Sequence, residues 1–531
     1  MSAEDSFTQP PPLPRSFNLC EYYLDRNVAQ GRGDKVALHC GDETRTYAQI
    51  AERVRRATAA FRCLGARPEE RVLIVLPDCF EFAEAWFATL RAGGVFAMVS
   101  PLLHRADYEH YLEYSKARIV VAHASVLPEL GAAARAARWC ESLLVVGGDE
   151  DGVGDAGDRG SSWEQALAAE DPDSEAAATE PTGPDDLAGW LFTSGSTGRP
   201  KACVHTHADF AFSTETYALQ VAGYRQDDVC LSVPKLFFGY ATGTNLMFPF
   251  RVGAATVLFP GRATADALFD HVERFRPTFL TCVPTMFNNM LRSERIGSVD
   301  LSSLRVSLSA GEALPPELYA AWKDRTGVEI LDGIGSAEMF HIYISNRPGD
   351  VRPGSLGRIV PGYEARIVDA EGEDVPDGEP GRLRVRGGST ALCYWGDAAK
   401  SRETFQGEWC TSADMFRRDA QGYYYFEGRS DDLLKVSGIW VSPLEIENAL
   451  LSHPAVREVC VVGREDERKL VKPVAHVVLG EGYGPGDDET AAALTAHVKD
   501  RLAPHKYPRW FEWRSELPKN DRGKIARKLL K

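Results

Sequence analysis

The chain has 531 residues, too many for one ordinary core, so at least two domains are expected. Its 44% hydrophobic and 26% charged residues exclude a disordered chain. A net charge of -16 argues against a protein that grips nucleic acid through a general basic surface.

The start, "MSAEDSFTQPPPLPRSFN", is acidic and lacks the apolar stretch of a signal peptide. No apolar run reaches the roughly 20 residues that span a bilayer. The eleven cysteines, from Cys20 to Cys460, contain no CxxC pair, which fits a reducing compartment. A cytoplasmic protein without a membrane span is expected.

From Tyr47 onward, helical and extended patterns alternate. "YAQIAERVRRATAAFRCLG" has apolar residues at helical spacing and ends at Gly65, a C-cap candidate. "RVLIVLP" reads as a strand, "CFEFAEAWFATLRAGG" as a helix and "ARIVVAHA" as a strand again. Residues 147–186 are acidic and rich in Gly, Pro and Ser, and predict a surface loop. Further strands are expected at "DDVCLSVP", "AATVLFP", "PTFLTCVP" and "RVSLSAG". This alternation implies βαβ units around a largely parallel sheet. "GRLRVRGG" and "GYYYFEGRSDD" read as hairpin material. Near "VSPLEIENALL", Ser442 is the expected N-cap, Pro443 the first helical residue and Glu445 the partner in a capping box.

Between two strand-like stretches lies "LFTSGSTGRPK", Leu191–Lys201. Consecutive small residues let backbone N–H groups converge on an anion, Ser and Thr hydroxyls add donors, and a lysine adds compact positive charge. It is not a Walker loop: Pro200 precedes Lys201 and Ala202 follows, where GxxxxGK[ST] requires Gly and a hydroxyl. Taken alone, the stretch also reads as a plain flexible connector.

Other segments, in order, share a resemblance with it. They are "SAGEALP" (Ser309–Pro315), "DGIGSAEMF" (Asp332–Phe340), "EWCTSADMFRRDAQGYYYFEGRSDD" and "LPKNDRGKIAR". Together the chain resembles the acyl-adenylate-forming superfamily of acyl-CoA synthetases, peptide-synthetase adenylation domains and luciferases. The resemblance implies an α/β fold: a large N-terminal domain, 1–430, of mixed and parallel sheets flanked by helices with a β-subdomain. A small mobile α+β C-terminal domain, 431–531, then pivots about Asp431. It implies that Thr193, Ser194, Gly195, Ser196, Thr197, Gly198 and Lys201 wrap the phosphates of ATP. Ala310, Gly311, Glu312, Asp332, Gly333 and Ser336 surround the nucleotide, Asp414 meets the ribose hydroxyls, and Arg429 follows it. Glu338 is implied as the Mg²⁺ ligand and Lys524 as the lysine bridging substrate carboxylate and α-phosphate, with Lys201 and Glu338 also catalytic. Lys435, Ser437 and Gly438 are implied on the path of a pantetheine thiol, although Lys435 reads equally as an inert strand lysine. Two positions depart from the pattern: Ala337 stands where Thr is usual, and "TSAD" replaces Thr-Gly-Asp.

"VPKLFFGYATGTNLMFPF" and "EMFHIYISN" resemble the acid-binding segments of benzoate-CoA ligases. No Asp or Glu lies between Pro234 and Asn245, which disfavours an amino-acid substrate with its ammonium group. Phe238, Gly239, Tyr240, Ile334, Gly335 and His341 are therefore expected to wall a flat slot for an aryl ring. Tyr240 and His341 carry polar tips for a ring hydroxyl or amino group, whereas Phe237 and Phe250 read as core. The implied reaction joins benzoate, or a hydroxy- or aminobenzoate, to AMP and then to coenzyme A, in a monomer or homodimer. The phosphopantetheine of an acyl carrier protein is the alternative acceptor. A non-catalytic nucleotide sensor is opposed by the retention of Lys201, Glu338, Asp414, Arg429 and Lys524.

Overall fold

The computed structural model describes residues 10–148, 157–194, 199–429, 434–436, 439–467, 470–480, 482–502, 506–519 and 525–530. For Ser194, Arg429 and Lys435 it describes the backbone. The expected α/β architecture is present. Among the described residues, one eight-stranded sheet runs in the spatial order Cys393–Tyr394, Pro200–Thr206, Leu187–Ser194, Val95–Met98, Arg71–Val75, Ile119–His123, Ser142–Val146, Gly160–Ser162. Its interior pairs are parallel, as the βαβ alternation predicts, and the edge carrying Lys201 is antiparallel.

The later apolar runs form the second, nine-stranded sheet. Val229–Ser232, Ala255–Leu258, Phe279–Cys282, Val306–Ser309 and Ile330–Gly335 lie parallel in its centre. Their continuous apolar character follows from burial on both faces. A five-stranded β-unit, Glu364–Arg429, follows, with its hairpin strands at Gly381–Arg386, Trp409–Arg418 and Tyr424–Arg429. From Leu434 onward a three-stranded sheet and the helices Pro443–Leu451 and Asp488–Arg501 share apolar clusters of their own. The first expected helix runs Tyr47–Cys63, with Gly65 just beyond it at φ +83°.

Three expectations are corrected. Residues 147–186 are not one surface loop: Gly160–Ser162 adds an edge strand, and Trp163–Ala168 is a helix. Trp163 is fully buried and donates to Glu84 at 3.3 Å, while Arg53 pairs with Glu164 at 2.6 Å. Acidic composition concealed two apolar anchors, Trp163 and Leu167, which dock the helix on the core. At Pro443–Leu451 the cap position is right, but the capping box does not form. Among the described residues Ser442 Oγ is buried without a hydrogen bond, and Glu445 turns to Lys506 at 2.6 Å. Phe250 is core as expected, but Phe237 is only half-buried and packs on Phe238, ring centroids 4.5 Å apart.

Candidate active site

Lys201 opens the strand Pro200–Thr206, and Thr193 and Ser194 close the antiparallel strand beside it, with Thr193 opposite Lys201. Gly195, Ser196, Thr197 and Gly198, between these strands in sequence, lie outside the described residues, as do Asp431, Ser437, Gly438 and Lys524. Lys201 Nζ sits 3.2 Å from the Asp397 carboxylate and 5.4 Å from the centre of the Tyr394 ring. Asp397 also caps the helix Ala398–Thr404, and the backbone N–H of Lys400, with Lys201 beside it, holds its carboxyl below the usual range.

Glu338 lies in the short 3₁₀ turn Ala337–Met339, which is clasped from several sides. His205 Nε2 lies 2.7 Å from the Ala337 carbonyl, Ala391 N–H donates to the Glu338 carbonyl, and Ser389 Oγ donates to the Met339 carbonyl. The Glu338 carboxylate itself accepts from the Tyr394 hydroxyl at 2.6 Å. The next residue, Phe340, has φ +63°, a left-handed conformation that costs an L-residue energy and persists only under such clasping. Ala337, the departure from the usual Thr, thus contributes its carbonyl to the framework.

The nucleotide candidates gather at the carboxyl ends of the central strands, where open α/β sheets bind ligands. Ser309 pairs in register with Asp332, and Ala310 and Gly311 follow directly. Asp332 is buried, and its Oδ1 has no hydrogen-bond partner among the described residues. Burial pushes its carboxyl up to about 8. Gly333 and Ile334 pair with Ser345 and Ile344, and Gly335 with Ile342, placing Ser336 at the mouth of the turn. Glu312 is engaged elsewhere, accepting from Thr285 N–H and Oγ at 3.1 and 2.8 Å. Asp414 stands opposite Arg429 across two β-strands. Lys435 pairs by backbone with Trp440.

Tyr240 and His341, 101 residues apart, meet: His341 Nε2 lies 3.1 Å from the Tyr240 carbonyl, and the rings lie 5.4 Å apart. A carbonyl only accepts, so Nε2 carries the hydrogen and Nδ1 is left as an acceptor. Nδ1 and the Tyr240 hydroxyl are both buried without a partner among the described residues. Burial pushes the imidazole down to about 3, so it stays neutral, and pushes the Tyr240 hydroxyl well above its usual range. Tyr217 and Phe248 pack on the same imidazole at 5.4 and 4.7 Å. Gly239 faces Leu191, while Phe238 packs on Phe237. Sequence reasoning missed Tyr217, His205, Tyr394 and Asp397. Only Asp397 carried a signal, as an N-cap residue before "AAKSRET".

The model of the AMP-binding enzyme family matches residues 24–395, and that of its C-terminal domain matches 445–524. The chain belongs to the AMP-binding enzyme family. Within that family it is 42% identical over 535 aligned residues to benzoate–CoA ligase of Thauera aromatica, covering 100% of this chain and 99% of that one. A crystal structure of an anthranilate CoA ligase in complex with anthranoyl-AMP superposes with a TM-score of 0.91 at 38% identity, covering 98% and 97% of the two chains. A benzoate CoA ligase structure from Burkholderia xenovorans LB400 gives 0.87 at 42% identity, covering 97% and 99%. Among the described residues no helix is long and apolar enough to cross a membrane.

Proposed function

We propose that this chain joins an aromatic carboxylic acid of the benzoate class to AMP and then transfers the acyl group to coenzyme A. The observation that carries this reading is the pairing of Tyr240 with His341: two ring faces whose hydroxyl and Nδ1 are neutral, buried and without a partner among the described residues. The 42% identity to a benzoate–CoA ligase over the whole chain supports the same acid class.

In the first step a carboxylate oxygen of the acid bonds to the α-phosphorus of ATP, and the bond to pyrophosphate breaks. Two anions approach one another, so preorganised positive charge is required. Lys201 and the segment 193–198 meet the β- and γ-phosphates in this reading, and Lys524 lies between the carboxylate and the α-phosphate. Asp332 Oδ1, a buried acceptor without a donor, fits the adenine amino group. Asp414 accepts from the ribose hydroxyls. Glu338, a half-buried carboxylate beside the lysine-bearing strand, is of a chemistry suited to Mg²⁺ and would hold it. When bound, Mg²⁺ neutralises phosphate charge. In the second step the coenzyme A sulfur bonds to the acyl carbon, and the bond to the AMP oxygen breaks. Lys435, Ser437 and Gly438 line the thiol's path, and the unit 431–531 turns about Asp431 between steps. Eleven cysteines spread along the chain without a CxxC pair support a reducing, cytoplasmic setting.

The test is a panel of benzoate, hydroxybenzoates, aminobenzoates, acetate and amino acids with ATP, Mg²⁺ and coenzyme A, scored by product mass. Aryl-CoA is the expected product. Absence of aryl-acid-dependent pyrophosphate exchange into ATP would sink the assignment.

A further inference from the structure

We propose that Tyr394 is a positioning residue for Glu338, aiming its carboxylate at the metal of the nucleotide site; this rests on the reading of Glu338 as the Mg²⁺ ligand given above. The hydroxyl of Tyr394 donates to Glu338 Oε1 at 2.6 Å. That takes one carboxylate oxygen and fixes the direction of the other, the arrangement by which a metal-ligating carboxylate is oriented by its neighbour.

The placement of Tyr394 has a structural cause. Cys393–Tyr394 is a short strand laid against the lysine-bearing strand, with Tyr394 opposite Cys203 and Cys393 opposite Val204. Leu392 N–H and Trp395 N–H extend the ladder to the carbonyls of Val204 and Ala202, both at 2.9 Å. Tyr394 is 6% exposed and packs its ring on Phe405 at 5.2 Å. Its hydroxyl is thus carried on a rigid strand paired with the strand that bears Lys201.

Three further contacts hold the backbone of the turn but leave the carboxylate free to rotate: Ala337, Glu338 and Met339 each offer a carbonyl to His205, Ala391 and Ser389. Among the described residues Tyr394 is the group that grips the carboxylate itself. The same segment reaches Lys201, with the ring of Tyr394 at 5.4 Å and Asp397 at 3.2 Å, so one stretch of six residues sets both charges of the phosphate site.

The experiment uses the full-length chain with ATP and Mn²⁺ as a spectroscopic probe of the metal, followed by electron paramagnetic resonance. Glu338→Gln, Tyr394→Phe and the double variant are compared. Tyr394→Phe keeps the ring and removes one oxygen, and thermal unfolding verifies that it folds. Mn²⁺ affinity in the ATP complex is expected to fall ~10-fold in Tyr394→Phe, with the KM for benzoate unchanged. The double variant is expected to be no weaker than Glu338→Gln alone. Wild-type Mn²⁺ affinity in Tyr394→Phe, or losses that add in the double variant, overturns the proposal while leaving Glu338 as the ligand. Wild-type Mn²⁺ affinity in Glu338→Gln removes the metal from Glu338 and overturns both.

Discussion

At the end proposed for phosphate, Lys201 is held by Asp397 at 3.2 Å and Glu338 by Tyr394 at 2.6 Å. At the end proposed for acid and adenine, the Tyr240 hydroxyl, His341 Nδ1 and Asp332 Oδ1 have no hydrogen-bond partner among the described residues. The difference follows from what each group costs when left alone. A full charge away from water must be mated or neutralised, whereas a neutral polar atom without a partner costs about 1–3 kcal/mol. His341 and Tyr240 are neutral, and Asp332 becomes so because burial raises its carboxyl to about 8. The charged half of the site is therefore assembled in advance, and the neutral half waits for ligand atoms to complete it.

Removing a mated charge should do the most damage. Lys201→Ala leaves Asp397 with its helix-cap bond alone and withdraws a phosphate donor, so adenylate formation, measured by pyrophosphate exchange, should fall at least ~100-fold. Asp397→Asn, which leaves the lysine in place, should cost much less; equal losses would break the distinction between partner and participant.

The waiting half should reveal itself in pH dependence. An amine donor favours ionised Asp332, so ATP affinity should decline below about pH 8, by at most ~10-fold per unit. Folding shows the opposite sign. The folded carboxyl binds a proton that the unfolded one has lost, so its stabilisation is fully present below about pH 4 and is lost progressively as pH rises from there through 8. Asp332→Asn should flatten both curves, read by calorimetric ATP titration and by unfolding temperature at pH 6.5 and 8.

A smaller effect is expected at the ring slot. His341→Leu removes the acceptor Nδ1 with little change in volume. The KM for an amino- or hydroxybenzoate should rise about 5-fold relative to benzoate, the worth of one neutral hydrogen bond. Equal rises for all acids would show that the imidazole acts by shape alone.

What the sequence disclosed follows the range of the forces involved. The strands from Val229 to Ser309 were legible because burial on both faces writes a continuous apolar run into local sequence. The helix Trp163–Ala168 was not, since its two buried residues sat within an acidic stretch whose composition outweighed them. Ser442 announced a helix start correctly, yet Lys506, 61 residues beyond Glu445, drew off the partner of the expected box. Tyr394 is 56 residues from Glu338, and no local pattern marks a contact of that span. The motifs named the charged groups but were silent about what holds them.

Gly243 lies on the helical stretch behind the slot, and a Cβ there would stand 2.5 Å from His341 Cδ2 and 3.0 Å from Phe248. Its own backbone, at φ −64°, accepts any residue. One added methyl therefore meets no conformational obstacle of its own and must spend its whole effect on tilting the imidazole. In the ring slot proposed above, a single hydrogen-to-carbon replacement behind His341 should thereby alter acid preference.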